Sequence, residues 1–155
     1  MHIIGLDPGL ADTGWGVIKK DGAKSLYIAH GCITTGKDEG LEGRLLTIYN
    51  ELIKILTAYR PQAAAIENLY FSKNSSSALE VAHARGVLML ALAGQHIKVN
   101  HYAPNTIKLA VTGYGKADKA TVQAMVKLLL GLAEIPKPNH AADALAMALC
   151  CANLL

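Results

Sequence analysis

Charge is scarce in this chain. Of its 155 residues only 17% are Asp, Glu, Lys or Arg, while 52% are hydrophobic. That balance excludes an intrinsically disordered polypeptide, whose polar composition cannot bury enough apolar surface to offset ordering. Aromatic residues are rarer still: one Phe, one Trp and six Tyr. An aliphatic core is therefore expected, and any aromatic residue in a polar stretch stands out. Cysteines number three, Cys32, Cys150 and Cys151, and no CxxC pattern occurs. An odd count with an adjacent pair excludes a disulfide framework and a zinc-ribbon site. Reduced thiols in a cytoplasmic protein are the expectation. No basic stretch leads into an apolar run at the start, so no signal peptide is expected. The longest strongly apolar run, Val87 to Ala93, is too short to span a bilayer, so no membrane role is expected. Repeats, low-complexity tracts and linkers are also missing, so residues 1–155 are expected to form a single domain. The net charge of +3 permits a polyanionic partner without demonstrating one.

What is there changes period along the chain. The first third reads as strand: HIIGLD, then TGWGVIKK, a turn at Asp21-Gly22, and SLYIAHGCITT. From Leu41 to Arg60 apolar residues recur every three or four positions, which predicts an amphipathic helix stopped by Pro61. PQAAAIEN predicts a short buried strand. Ser75-Ser76-Ser77 opens the next helix, with Ser77 and Glu80 as a capping box and Gly94 as C-cap. HIKVNHY predicts a fifth strand. A short helix follows Pro104, a longer one runs from the N-cap Asp118 to Gly131, and HAADALAMALCCANLL is the last. The order β-β-β-α-β-α-β-α-α-α predicts an α/β fold: a mixed five-stranded sheet, three antiparallel strands then two helix-connected strands, with helices on both faces.

The opening strand ends in a charge, Asp7, followed at once by Pro8 and Gly9. Glu67 ends the strand AAAI in the same way. If the first and fourth strands lie side by side, both carboxylates emerge at one sheet edge. His140 and Asp143, three positions apart, share a face in the first turn of an otherwise apolar last helix. Each residue alone has a simpler reading: Asp7 as a turn residue, Glu67 as a surface strand end, Asp143 as a partner of the helix dipole, His140 as a cap. Together, three carboxylates and an imidazole repel one another without a counter-ion. Hard oxygen donors suit Mg²⁺, and an imidazole admits Mn²⁺ as well. Two such ions can activate a water and stabilise a leaving oxyanion at a phosphodiester.

Four stretches, LDPGLADTGWG, AIENLYFSKNSSSALEVAHARG, YAPNTIKLAVTGYGKADKATVQAMV and HAADALAMAL, resemble the RuvC family of Holliday junction resolvases across nearly the whole chain. The resemblance implies a ribonuclease H-like fold and a homodimer that nicks two strands of a four-way DNA junction symmetrically. It implies that Asp7, Glu67 and Asp143 bind metal; at His140 many family members have aspartate and others histidine, which leaves open whether His140 is a ligand or a base. It matches an aromatic residue to Tyr70, placed to stack or wedge against bases, and basic residues to Lys108 and Lys119. It also implies a branch-migration helicase as a working partner. Phe71 reads as a second ring beside Tyr70 or as packing under the loop. Lys73, Arg85, Lys108, Lys116 and Lys119 are the phosphate-binding candidates, with Lys116 and Lys119 flanking a helix start. Gly86 in the middle of an apolar helix costs about 1 kcal/mol against Ala, which close approach of a twofold partner would explain. Two other functions compete: an actin-like nucleotide-binding phosphotransferase or ATPase, whose phosphate loop LDPGLADTGWG also resembles, and a junction-binding module without catalysis.

Overall fold

The structure, a computed structural model, describes residues 1–68 and 75–155. Ten elements follow in the expected order. The strands are β1 (His2–Asp7), β2 (Asp12–Asp21), β3 (Lys24–Thr34), β4 (Ala63–Glu67) and β5 (Lys98–Tyr102). The helices are α1 (Leu41–Tyr59), α2 (Ser75–Gly94), α3 (Pro104–Thr112), α4 (Lys119–Leu129) and α5 (Asn139–Leu154). The sheet order is β3-β2-β1-β4-β5, antiparallel through the first three strands and parallel from β1 to β4 to β5. The mixed five-stranded sheet is thus as expected, and it is covered on both faces.

Strand alternation assigns each residue to a face. Ile3, Ala63, Ala65 and Ile18 point to one side, where Leu145, Leu149 and Cys150 of α5 and Val126 of α4 complete a core. Ile4, Leu6, Val17 and Ile66 point to the other, against Ile48 and Leu52 of α1 and Leu88 and Leu92 of α2. All three cysteines are free, and burial pushes the Cys150 thiol up to about 12, so the pair in α5 packs as small hydrophobes.

Local chemistry sets the boundaries. Gly22 takes the first central place of the β2–β3 hairpin at φ +59, with Asp21 pairing Lys24, so Asp21 closes the ladder instead of entering the turn. Asp118 caps α4 by accepting a bond from the Thr121 amide at 2.8 Å. At its other end Gly131 sits at φ +62, with Leu132 N bonded to Lys127 O and Gly131 N to Leu128 O, the paired closure that glycine permits. Several expected boundaries shift: β5 starts at Lys98, later than HIKVNHY, and Gly94 lies inside α2 and is not its C-cap. The fourth strand is shorter than PQAAAIEN. The helix α2 already begins at Ser75, which puts Ser77 inside its first turn and not at an N-cap. The helix α5 begins at Asn139, so Asp143 stands in its second turn rather than its first.

By length and composition alone, Ser77–Gly94 of α2 would reach across a bilayer, which the shorter run Val87 to Ala93 did not indicate. In the fold its Ala84, Leu88, Ala91 and Leu92 are packed into the core beside α1.

Candidate active site

Asp7 and Glu67 are neighbours because β1 and β4 are parallel and adjacent. The register pairs Leu6 with Ile66, so the next residue of each strand leaves the sheet at the same carboxyl edge. Both carboxylates share the parity of Ile3, Gly5, Ala63 and Ala65 and therefore face α5. The chain beyond Asp7 is tied down: Thr13 Oγ1 donates to Gly9 O and Thr35 Oγ1 to Leu10 O, each at 2.6 Å. Beyond Glu67, the Asn68 amide bonds Tyr102 O of β5 at 2.8 Å. The two strand ends are thus braced immediately after their acids.

The helix α5 lies unusually close to the sheet. A Cβ added to Gly5 would sit 1.8 Å from Ala144 O, and one added to Gly14 would sit 2.0 Å from His140 O. No real side chain fits at such distances, so here the helix rests on strand backbone, which is the usual meaning of glycine inside a strand. Gly14 is the ladder partner of Asp7, so the helix start is seated directly over that acid.

The result answers what holds the charge at the end of the first strand. His140 Nδ1 lies 2.7 Å from Asp7 Oδ2, a hydrogen bond in which the ring nitrogen donates to the carboxylate. Asp143 stands beside them, and ligand atoms of Asp7, His140 and Asp143 all lie within 4.8 Å of one another. Burial holds the Asp7 carboxyl above the usual carboxylate range; the His140 bond opposes this and the Asp143 charge adds to it. Glu67 is raised too, by burial first and then by Asp7 and Asp143. Burial and mutual repulsion therefore both disfavour the ionised acids. Asp7, His140 and Asp143, with Glu67 lining the same pocket, offer oxygen donors and one imidazole, a set that fits Mg²⁺ or Mn²⁺.

Asp7, Glu67 and Asp143 line an open pocket of about 270 Å³ whose other wall is Pro104, Ile107, Val122, Ala146 and Met147. Two of the expected lysines, Lys108 of α3 and Lys119 of α4, close its rim. Lys119 Nζ is 2.8 Å from Asp143 Oδ2. Lys116 is exposed in the loop between α3 and α4, outside the pocket lining. Arg85 is not brought to the pocket: its guanidinium is 2.8 Å from His101 Nδ1, on the sheet face away from α5. Tyr70, Phe71 and Lys73 lie outside the described residues.

Sequence reasoning missed the apolar wall and the glycine seat. The wall carries no polar signal, since its residues read as ordinary helix core. The seat did leave one: Gly5, Gly14 and Gly16 recur at alternate strand positions, a pattern that marks close backbone approach on one face.

The comparisons with known proteins converge. The family model described as crossover junction endodeoxyribonuclease RuvC matches residues 3–151. The RuvC of Treponema denticola is 51% identical over 153 residues, covering 98% of this chain and 85% of its own. That of Ruminiclostridium cellulolyticum is 48% identical, covering 99% and 92%. Among solved structures, Thermus thermophilus RuvC matches at 34% identity with a TM-score of 0.91, covering 99% of this chain and 94% of its own. The same protein in complex with a Holliday junction substrate also matches at a TM-score of 0.91, with 97% and 92% coverage. The yeast mitochondrial Holliday junction resolvase, 12% identical at a TM-score of 0.70 with 97% and 77% coverage, shares the fold. The architecture is ribonuclease H-like, and the chain belongs to the RuvC family of crossover junction endodeoxyribonucleases.

Proposed function

We propose that this chain resolves four-way DNA junctions by metal-dependent hydrolysis of phosphodiester bonds, with Asp7, Glu67, His140 and Asp143 as the ligand and catalytic set. The observation that carries the reading is the convergence of Asp7, His140 and Asp143 within 4.8 Å, beside Glu67, in a chain of this family. Divalent cations bound there, two Mg²⁺ or Mn²⁺ in this reading, would supply Lewis-acid stabilisation of the phosphate and an activated water.

The protein's own groups have separable tasks. The Nδ1–H of His140 donates to Asp7, which fixes the ring and leaves Nε2 as its acceptor nitrogen. That nitrogen serves as a ligand or takes a proton from the attacking water. Lys108 and Lys119 stand at the rim, where a phosphate would approach. Lys116 gives an outer phosphate contact, and Arg85, held by His101, supports α2 against β5. From the sequence, Tyr70 and Phe71 follow Glu67 closely enough to stack on opened bases, and Lys73 to meet the backbone between them.

The junction is twofold symmetric, and so is the expected enzyme. Leu79, His83, Gly86 and Leu90 form an exposed stripe along α2, and a Cβ at Gly86 would meet nothing within 4 Å. No packing among the described residues accounts for that glycine, whereas a second copy of α2 crossing closely would. A branch-migration helicase as delivery partner and a cytoplasmic site of action complete the reading.

The test is a nicking assay on synthetic four-way junctions and linear duplex. Paired symmetric nicks are expected in the junction alone, and only with Mg²⁺ or Mn²⁺. Asp143→Asn should bind junctions yet cleave at least about a thousand-fold more slowly, as loss of a group acting within a catalytic unit does. Equal cutting of duplex, or full cutting in a chelator, overturns the proposal. Junction binding with no cutting by the unaltered chain would favour a binding module.

A further inference from the structure

Lys119 holds an unusual place for a residue meant to meet DNA. Its ammonium is already engaged, 2.8 Å from Asp143 Oδ2, although the lysine side chain is 56% exposed and the aspartate 27%. The position is built and not casual. The Asp118 cap fixes the first turn of α4, and Gln123 Nε2 bonds Asn139 Oδ1 at 3.2 Å, tying α4 to the start of α5. Lys119 is the first residue of that capped helix, so the tie brings its chain alongside Asp143.

We propose that Lys119 is the internal counter-ion of Asp143 and must leave it before a divalent cation can use that carboxylate. This rests on the metal-dependent reading above. One ammonium cannot stay on Asp143 while a metal ion takes the same oxygen, because like charges at contact distance repel. A DNA phosphate arriving at the rim offers the lysine another partner. Phosphate capture by Lys119 and cation capture by Asp143 then assist each other, a coupling that works in both directions. The site would hold its metal weakly until substrate is present.

The experiment measures Mn²⁺ binding to the whole protein without DNA, by the electron paramagnetic resonance signal of the free ion. The variants are Lys119→Gln, Lys119→Arg and Lys108→Gln. Lys108 lines the same pocket and bears on Glu67 through its charge, but makes no ion pair with it within 4 Å. Removing it is the control for charge alone. Lys119→Gln should tighten Mn²⁺ about two- to five-fold, the range expected from releasing one exposed ion pair. Lys119→Arg should not tighten it, and Lys108→Gln should tighten it less than Lys119→Gln. In the unaltered protein, the Lys119 ammonium signal in ¹⁵N NMR should move with Mg²⁺ saturation. Equal tightening by Lys108→Gln and Lys119→Gln, or an ammonium signal unmoved at saturating Mg²⁺, overturns the inference alone. Absence of saturable Mn²⁺ binding in every variant overturns the metal reading with it.

Discussion

The two faces of the sheet are built on different rules. On the α1/α2 face the strands present Ile4, Leu6, Val17 and Ile66, and the helices reply with Ile48, Leu52, Leu88 and Leu92. This is side chain against side chain, with dense aliphatic packing and the Arg85–His101 pair at its margin. On the α5 face the strands present Gly5, Gly14, Ala63 and Ala65, and a helix rich in alanine lies against backbone. The acids converge on this face, at the carboxyl edge. One face secures the fold by filling volume, and the other sacrifices volume to bring a helix start within reach of two strand ends.

Substitutions sharpen that contrast. Leu52→Ala on the packing face should cost about 2–5 kcal/mol in chemical denaturation, through lost transfer and a cavity, while cleavage per folded molecule is unchanged. A fall in cleavage beyond the unfolded fraction would break the division of labour. Gly14→Ala on the site face should show the opposite balance. Its Cβ must push His140 O away, so stability falls by about 1–3 kcal/mol. Cleavage of junctions by the folded enzyme falls about a hundred-fold, as for a catalytic group displaced by about 1 Å. Undiminished cleavage would mean that the glycine seat does not set the position of α5.

Electrostatics separates the faces too. Saturating Mg²⁺, at about a hundred times its dissociation constant, should stabilise the chain by about 2.7 kcal/mol, or roughly 5–10 °C in Tm. Without metal, Glu67 binds its proton more tightly in the fold than in the unfolded chain. Its contribution is therefore intact below the ordinary value of 4.5 and is lost as pH rises through the raised folded value. Glu67→Gln should escape that loss, so its Tm advantage over the unaltered chain in a chelator should grow with pH and vanish in Mg²⁺. An advantage that shrinks with rising pH would contradict the crowding of acids.

Much of this was legible beforehand, and for definite reasons. Asp7 and Glu67 betrayed themselves as charges ending apolar strands, while the adjacency of those strands was a condition that the parallel β1–β4 pairing meets. His140 and Asp143 stood out against an apolar helix. A start at Asn139 moved Asp143 to the second turn, where a helix dipole has little hold. That weakens the simplest alternative for it. The Lys119–Asp143 pair was not legible, because it depends on how two helices meet and no sequence period encodes that angle. Charge alone makes Arg85 a candidate phosphate ligand, and the structure places it beside His101, outside the pocket lining. A cation's partners are set by tertiary placement, and here His101 is one of them.

Where α5 rests on Gly5 and Gly14, main chain touches main chain. Peptide units cannot be repacked, shortened or swapped for another rotamer. The spacing between the helix-borne and strand-borne acids is thereby tied to the fixed dimensions of the polypeptide itself. Interior side chains away from that seat can change in sequence while the gauge is kept.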